Sequence, residues 1–282
     1  MKNLSPFIDD TNTFFDNVLK AKRKSQKDET YKDRIELLKP SIRVNYKNFD
    51  DNFSDKSLAT LSAHGYLDQE KDDLLKMYKY DNNIFQKLKT DVTTTKTNRI
   101  INTCQNCTIN EINSFDHIVP KDEFPEYAVN PKNLFPSCTK CNGHKSTVWR
   151  SSGESVFLNL YLDSLPQVQY LFCKPIIENE LVTVSFVVEN VKGIDNNLFK
   201  LISTHYSRLE LPQRFRENSH DTIYELSKEI KKYKDKVPRG ELIQTIKDSI
   251  VEDKDYYGFN FWKSIIKEAL IENEEYLELV YK

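Results

Sequence analysis

The stretch SFDHIVPKDEF, Ser114 to Phe124, sets an acid directly beside a histidine at the end of a short apolar run and just before a proline. It lies between two cysteine pairs, CQNC at 104–107 and CTKC at 138–141, the second running on into Asn142-Gly143-His144-Lys145. Most Asp-His pairs carry no message, and this one becomes readable through the thiols that frame it. Cys104, Cys107, Cys138 and Cys141 supply four soft ligands, which suits a tetrahedral structural Zn²⁺ site with no open position. A two-residue gap lets a tight turn aim both sulfurs of a pair at one ion. The 30 residues between the pairs exceed the spacing of a simple zinc ribbon, so something is folded between the two knuckles. A redox role would need one reactive pair rather than two, and a closed four-thiolate site has no vacancy for a catalytic water. What the clamp adds is rigidity, since metal binding contributes folding free energy to a segment too short to assemble much core.

With Asn130-Pro131-Lys132-Asn133-Leu134 standing between the Asp-His pair and the second knuckle, the segment resembles an HNH endonuclease, the ββα-metal nuclease fold, in the form whose finger is fixed by four cysteines. The likeness covers residues 99 to about 150. It implies two strands and a short helix closing around one divalent ion. By the same resemblance His117 is the general base, and an imidazole with a near-neutral pKa has the chemistry for that task. Asp116, on the other side of an extended strand, is free to bind Mg²⁺ or Mn²⁺ through oxygen. Asn133 matches the middle letter of the motif, where the amide pins backbone near the histidine. The third letter departs from the name: Asn142 stands where histidine is usual, a variant the family contains, and with Asp116 it makes a sparse all-oxygen set. His144 competes for that role, but residues 142 and 144 lie roughly 200° apart on a helix, so both can hardly reach one ion. His144 then contacts phosphate or faces solvent, and Lys132, Lys140, Lys145 and Arg150 are the candidate phosphate contacts. The resemblance implies 5′-phosphate and 3′-hydroxyl products.

The flanks organise around this module. Residues 1–95 are polar and patterned for helix, with Leu74, Leu75, Tyr78 and then Ile84, Phe85, Leu88 at spacings of three and four. A basic run, Lys20, Lys22, Arg23, Lys24 and Lys27, reads as a solvated face because Asp28 and Glu29 follow at once. Thr93 to Asn98 looks like a linker into the module at 96–150. In residues 151–282, Gln167–Cys173 and Leu181–Glu189 alternate as strands with a turn at Glu178-Asn179-Glu180. Val182, Val184, Phe186 and Val188 share one face of the second strand. Helical stripes follow at Ile223, Leu226, Ile230, Tyr233, at Leu242, Ile246, Ile250, and at Phe261, Ile265, Ala269. The expected class is α+β: a central zinc-clamped module, mainly helical flanks and one small hairpin.

Composition sets the outer bounds. The 282 residues carry 30% charged and 38% hydrophobic side chains, a globular balance. No run reaches the roughly 18 apolar residues of a membrane span, so no membrane partner and a cytoplasmic location are expected. Cys173 reads as a buried small hydrophobe. A net charge of −2 excludes a chain that gathers polyanions through its long-range field. Residues 99–150 hold six Lys or Arg against five Asp or Glu, which is weak for a free-standing DNA binder. A partner chain or a homo-oligomer is therefore expected to share the grip on DNA or RNA. Segments such as Leu158–Asp163 and His205–Leu211 resemble, loosely, bacterial HNH proteins with helical extensions, several of which act beside a partner ATPase or sensor in antiphage defence. The expected function is thus a metal-dependent endonuclease, DNA favoured, with a non-catalytic zinc module that binds nucleic acid or protein as the alternative.

Overall fold

The computed structural model describes residues 1–23 and 26–282, so Lys24 of the basic run lies outside the described residues. The chain is α+β and divides into two compact units. One comprises Asn3–Gln105 and Asn110–Asp163, the other Met1–Lys2, Asn106–Ile109 and Ser164–Lys282.

The first unit begins with α1 (Thr11–Ala21), α2 (Tyr31–Ser54), α3 (Asp68–Met77) and α4 (Asn83–Thr93). Asp10 caps α1 by accepting from the Asn12 and Thr13 amides, and Asn82 caps α4 through the Ile84 amide, each satisfying donors that a helix start leaves open. On α2, Ile35, Ile42, Tyr46, Phe49 and Phe53 recur at helical spacing and are buried. Next come β1 (Ser114–His117), β2 (Leu134–Ser137) and α5 (Thr139–Lys145), the ββα unit, then a minimal hairpin of β3 (Arg150–Ser151) and β4 (Glu154–Ser155). Strands β1 and β2 pair antiparallel, Asp116 opposite Phe135 and His117 opposite Leu134.

The long connection between β1 and β2 is packed down by the N-terminal helices. Tyr127 within it lies 4.8 Å from the ring of Phe49 and 6.5 Å from that of Tyr46, centroid to centroid, and 5.9 Å from Phe124. Glu126 Oε1 accepts from the His64 amide at 2.8 Å. Residues 1–95, read as a separate region in the sequence, thus form the wall against which this loop is set.

In the second unit, β5 (Leu171–Glu178) and β6 (Leu181–Val188) make the hairpin, followed by α6 (Asn196–Arg208), α7 (Leu211–Glu217), α8 (His220–Tyr233), α9 (Arg239–Tyr257), α10 (Trp262–Ile271) and α11 (Glu274–Tyr281). The turn stands where expected: Asn179 and Glu180 both take positive φ, 50° and 67°, the two-residue geometry that suits the strand twist. The first strand runs later than the expected 167–173. Pairing begins with Leu171 opposite Val188, and just there Asn260 Oδ1 accepts from the Tyr170 and Leu171 amides at 2.8 and 2.9 Å. Cys173 is half-buried opposite Phe186 rather than buried, and burial still pushes its thiol up to about 12. The ring of Phe215 stacks on Trp262 at 5.7 Å and meets Phe186 at 5.5 Å, joining α7, α10 and the hairpin into one core.

His205 on α6 is 1% exposed, with Nε2 3.3 Å from the Asn106 carbonyl, and burial holds its pKa down at about 4. Unfolded, the same ring titrates near 6.5. The unfolded chain therefore gains a proton in this window that the folded chain refuses, and stability falls as pH drops from about 6.5 to 4. His205→Gln lacks this dependence. The gap in unfolding free energy between wild type and variant, from urea melts, should narrow by up to about 3 kcal/mol across that window.

Candidate functional site

Two thiol pairs converge at one end of the ββα unit. The four sulfurs of Cys104, Cys107, Cys138 and Cys141 lie within 4.8 Å of one another, and all four residues are buried. Backbone amides support them: Ile109 N–H donates to Cys107 Sγ at 3.5 Å, and Cys141 N–H to Cys138 Sγ at 3.4 Å. The Asn110 side-chain amide adds a donor to Cys138 Sγ at 3.7 Å. Donors aimed at sulfur favour thiolates, and four thiolates at this separation fit zinc. The tip of the first knuckle is held in turn, because Trp262 Nε1–H donates to the Thr108 carbonyl at 3.2 Å.

Asn133 is fully buried and satisfies three backbone groups of the loop. Its Oδ1 accepts from the Val119 amide at 2.8 Å, and its Nδ2 donates to the carbonyls of Val119 and Tyr127 at 3.0 and 3.1 Å. The next carbonyl along, that of Ala128, lies 2.9 Å from His117 Nε2. A carbonyl can only accept, so Nε2 carries the proton and Nδ1 keeps its lone pair. Nδ1 makes no hydrogen bond and is not sealed from solvent. Burial holds the His117 pKa down at about 3, well below the near-neutral value expected from the sequence, so the ring is neutral at pH 7.

Asp116, the neighbouring residue on β1, turns to α5. Lys145 Nζ lies 3.0 Å from Asp116 Oδ1 and 2.6 Å from the His117 carbonyl. Both side chains are under 10% exposed. Burial pushes the Asp116 carboxyl up and the ammonium beside it pulls it back. Oδ2 makes no hydrogen bond and is not sealed. Asn142, three residues before Lys145 on α5, donates from Nδ2 to the Phe115 carbonyl at 3.2 Å, leaving its amide oxygen unengaged. Asn142 and Lys145 of α5 thus meet β1 at the Phe115 carbonyl, the Asp116 carboxylate and the His117 carbonyl, and carboxylate and amide oxygens are the donor types that a hard divalent cation accepts.

The remaining candidates fall elsewhere. Lys145 was expected to face phosphate, and it is buried on Asp116 instead. Lys132 Nζ is 3.2 Å from Asp50 Oδ1. Arg150 stacks on Trp149 at 4.3 Å, pairs with Glu123 at 3.0 Å and donates to the Ala59 and Leu61 carbonyls. These three cations are committed within the fold because each has found a carboxylate or carbonyl at close range. Lys140 is exposed on α5, and His144 is half-buried on the same helix. Two neighbours of the site were missed in the sequence. The ring of Tyr78, just after α3, meets the His117 ring edge to face at 4.8 Å, and Lys121 Nζ sits 5.2 Å over Tyr78. Lys121 carries a weak signal, being four residues beyond His117, whereas Tyr78 carries none.

Comparison with known proteins agrees with this geometry. Residues 104–147 match the family model described as HNH endonuclease, so the chain carries an HNH endonuclease domain there. It is similar to protein ea31 of Escherichia phage lambda, 23% identical over 215 residues, covering 70% of this chain and 71% of that protein. It is also similar to the Septu protein PtuB of Bacillus thuringiensis, 53% identical over 32 residues, covering 11% of this chain and only 12% of that protein. No solved structure gives a significant match. Among the described residues no helix is long and apolar enough to cross a membrane.

Two outcomes follow. Lys145→Met strands a buried carboxylate and should cost about 3–5 kcal/mol in urea melts; a loss within error of zero would show the pair to be idle. The purified chain should hold about one equivalent of zinc by metal analysis. Cys141→Ser should lower that content and the unfolding temperature together.

Proposed function

We propose that the chain is a metal-dependent endonuclease that hydrolyses phosphodiester bonds of nucleic acid, DNA favoured, and acts as a bacterial defence effector. The observation that carries this reading is the 2.9 Å contact between His117 Nε2 and the Ala128 carbonyl: the ring proton is given there, and Nδ1 is left as an acceptor. Asn133 positions both the Val119 backbone and the loop that offers the carbonyl. His117 Nδ1 takes a proton from the attacking water as its oxygen bonds to phosphorus, and the bond from phosphorus to the 3′ oxygen breaks.

Asp116 Oδ2 and the Asn142 amide oxygen are the groups that would hold Mg²⁺ or Mn²⁺. When bound, such a cation supplies charge neutralisation at the phosphate and help for the leaving oxygen. Lys145 opposes the rise that burial imposes on the Asp116 carboxyl and occupies Oδ1 at 3.0 Å. The four cysteines hold zinc as a closed structural site that takes no part in the chemistry.

DNA over RNA follows from the resemblance to the family. The 53% match to a Septu protein supports a defence role with a partner chain such as an ATPase or sensor. A second reading, a nuclease of a mobile element, is favoured by the longer match to a phage protein.

Supercoiled plasmid with Mg²⁺ or Mn²⁺ tests the proposal. Wild type should give nicked and linear forms, while His117→Ala should cut about 10²- to 10⁴-fold more slowly, the usual weight of a general base. EDTA should stop cleavage. A zinc-loaded chain that binds DNA without cutting it would favour the non-catalytic zinc module instead.

A further inference from the structure

Of the lysines and arginines nominated from the sequence, Lys140 is exposed on α5, and the other three turn inward. Lys145, Lys132 and Arg150 are each tied to acceptors within the fold. Lys121 differs from them. It is half-buried, its Nζ sits 5.2 Å over the Tyr78 ring, and it forms no ion pair among the described residues. Its exposed neighbour Asp122 does not pair with it. Tyr78 in turn abuts His117 at 4.8 Å with an interplanar angle of 73°. Both Lys121 and Lys145 lie near enough for their charge to act on the His117 ring. Lys145 is answered by Asp116, whereas among the described residues Lys121 is answered by an aromatic face.

A lysine over an aromatic ring at a surface is held by only about 0.5–1 kcal/mol, which orients the ammonium without neutralising it. A cation oriented by a ring that itself abuts His117 calls for an anion, and the anion that the proposed chemistry at His117 requires is a phosphodiester. We infer that Lys121, held in place by Tyr78, is a nucleic-acid contact that binds a backbone phosphate next to His117. The inference rests on the endonuclease reading of the same site and extends it beyond the matched stretch 104–147, because Tyr78 comes from the N-terminal helical region. Tyr78 is a positioning residue: it acts on the phosphate through Lys121 and on the base through ring contact.

The test is binding of a short fluorescein-labelled DNA duplex to the full chain, by anisotropy across a salt series without added Mg²⁺ or Mn²⁺, so that the probe stays intact. Lys121→Gln should weaken binding about five- to tenfold at low salt and reduce the slope of log K against log salt by about one, the signature of one lost phosphate contact. Lys121→Arg should restore both, and circular dichroism should not change. In a Tyr78→Leu background the loss caused by Lys121→Gln should shrink, since the ring no longer holds the ammonium in place. If wild type cuts plasmid while Lys121→Gln keeps the wild-type affinity and slope, the assignment of Lys121 is overturned and the endonuclease reading stands. If wild type neither binds the duplex nor cuts plasmid, both fail.

Discussion

The site depends on one buried amide. The chain between β1 and β2 has no regular ladder of its own to fix it, and a loop with unpaired polar backbone under a packed surface is costly unless every group is answered. Asn133 answers three of those groups at once, on both limbs of the loop. Its bond to the Tyr127 carbonyl places the following carbonyl, that of Ala128, against His117 Nε2. The aromatic packing of Tyr127 on Phe49 and Phe124 holds the same point from the other side. An imidazole so held has one tautomer and one free lone pair, which is what a general base needs before substrate arrives.

Charge placement is the second constraint. A buried carboxylate such as Asp116 needs a cation or it protonates, and Lys145 supplies one from a helix that the second knuckle begins. The zinc-ready cluster and the acidic ligand are therefore linked through α5: Cys138 caps it, Cys141 lies in its first turn, and Asn142 and Lys145 share the side turned to β1. With Lys132, Lys145 and Arg150 committed internally, few cations remain to meet a polyanion. With a net charge of −2 for the whole chain, this supports the proposed sharing of the nucleic-acid grip with a partner.

Much of this was legible in the sequence, and the reasons are local. Two CxxC pairs, an Asp-His pair at a strand end, and asparagines at 133 and 142 are read by spacing alone, because the ββα unit brings neighbours in sequence together around one point. The helical stripes on α3, α4, α8 and α9 and the Asn179-Glu180 turn belong to the same class. What escaped were contacts set by tertiary packing. A lysine reads the same whether it will be buried on a carboxylate or left at the surface, so Lys145 passed for a phosphate contact. Tyr78 meets His117 only through packing of chain segments nearly 40 residues apart, and no periodicity announces that. The start of β5 was placed too early because the edge of the ladder is marked by Asn260, some 90 residues on, whose side chain takes the Tyr170 and Leu171 amides.

The most direct measurement is the protonation state of the His117 ring, read from long-range ¹H–¹⁵N correlations in the imidazole at neutral pH, with Asn133→Ala beside wild type. The account requires a neutral ring protonated at Nε2 in wild type, and a loss of that single tautomer when the amide is removed. A ring protonated at Nδ1, or carrying both protons, would contradict it, because no lone pair would then remain where the water must be activated.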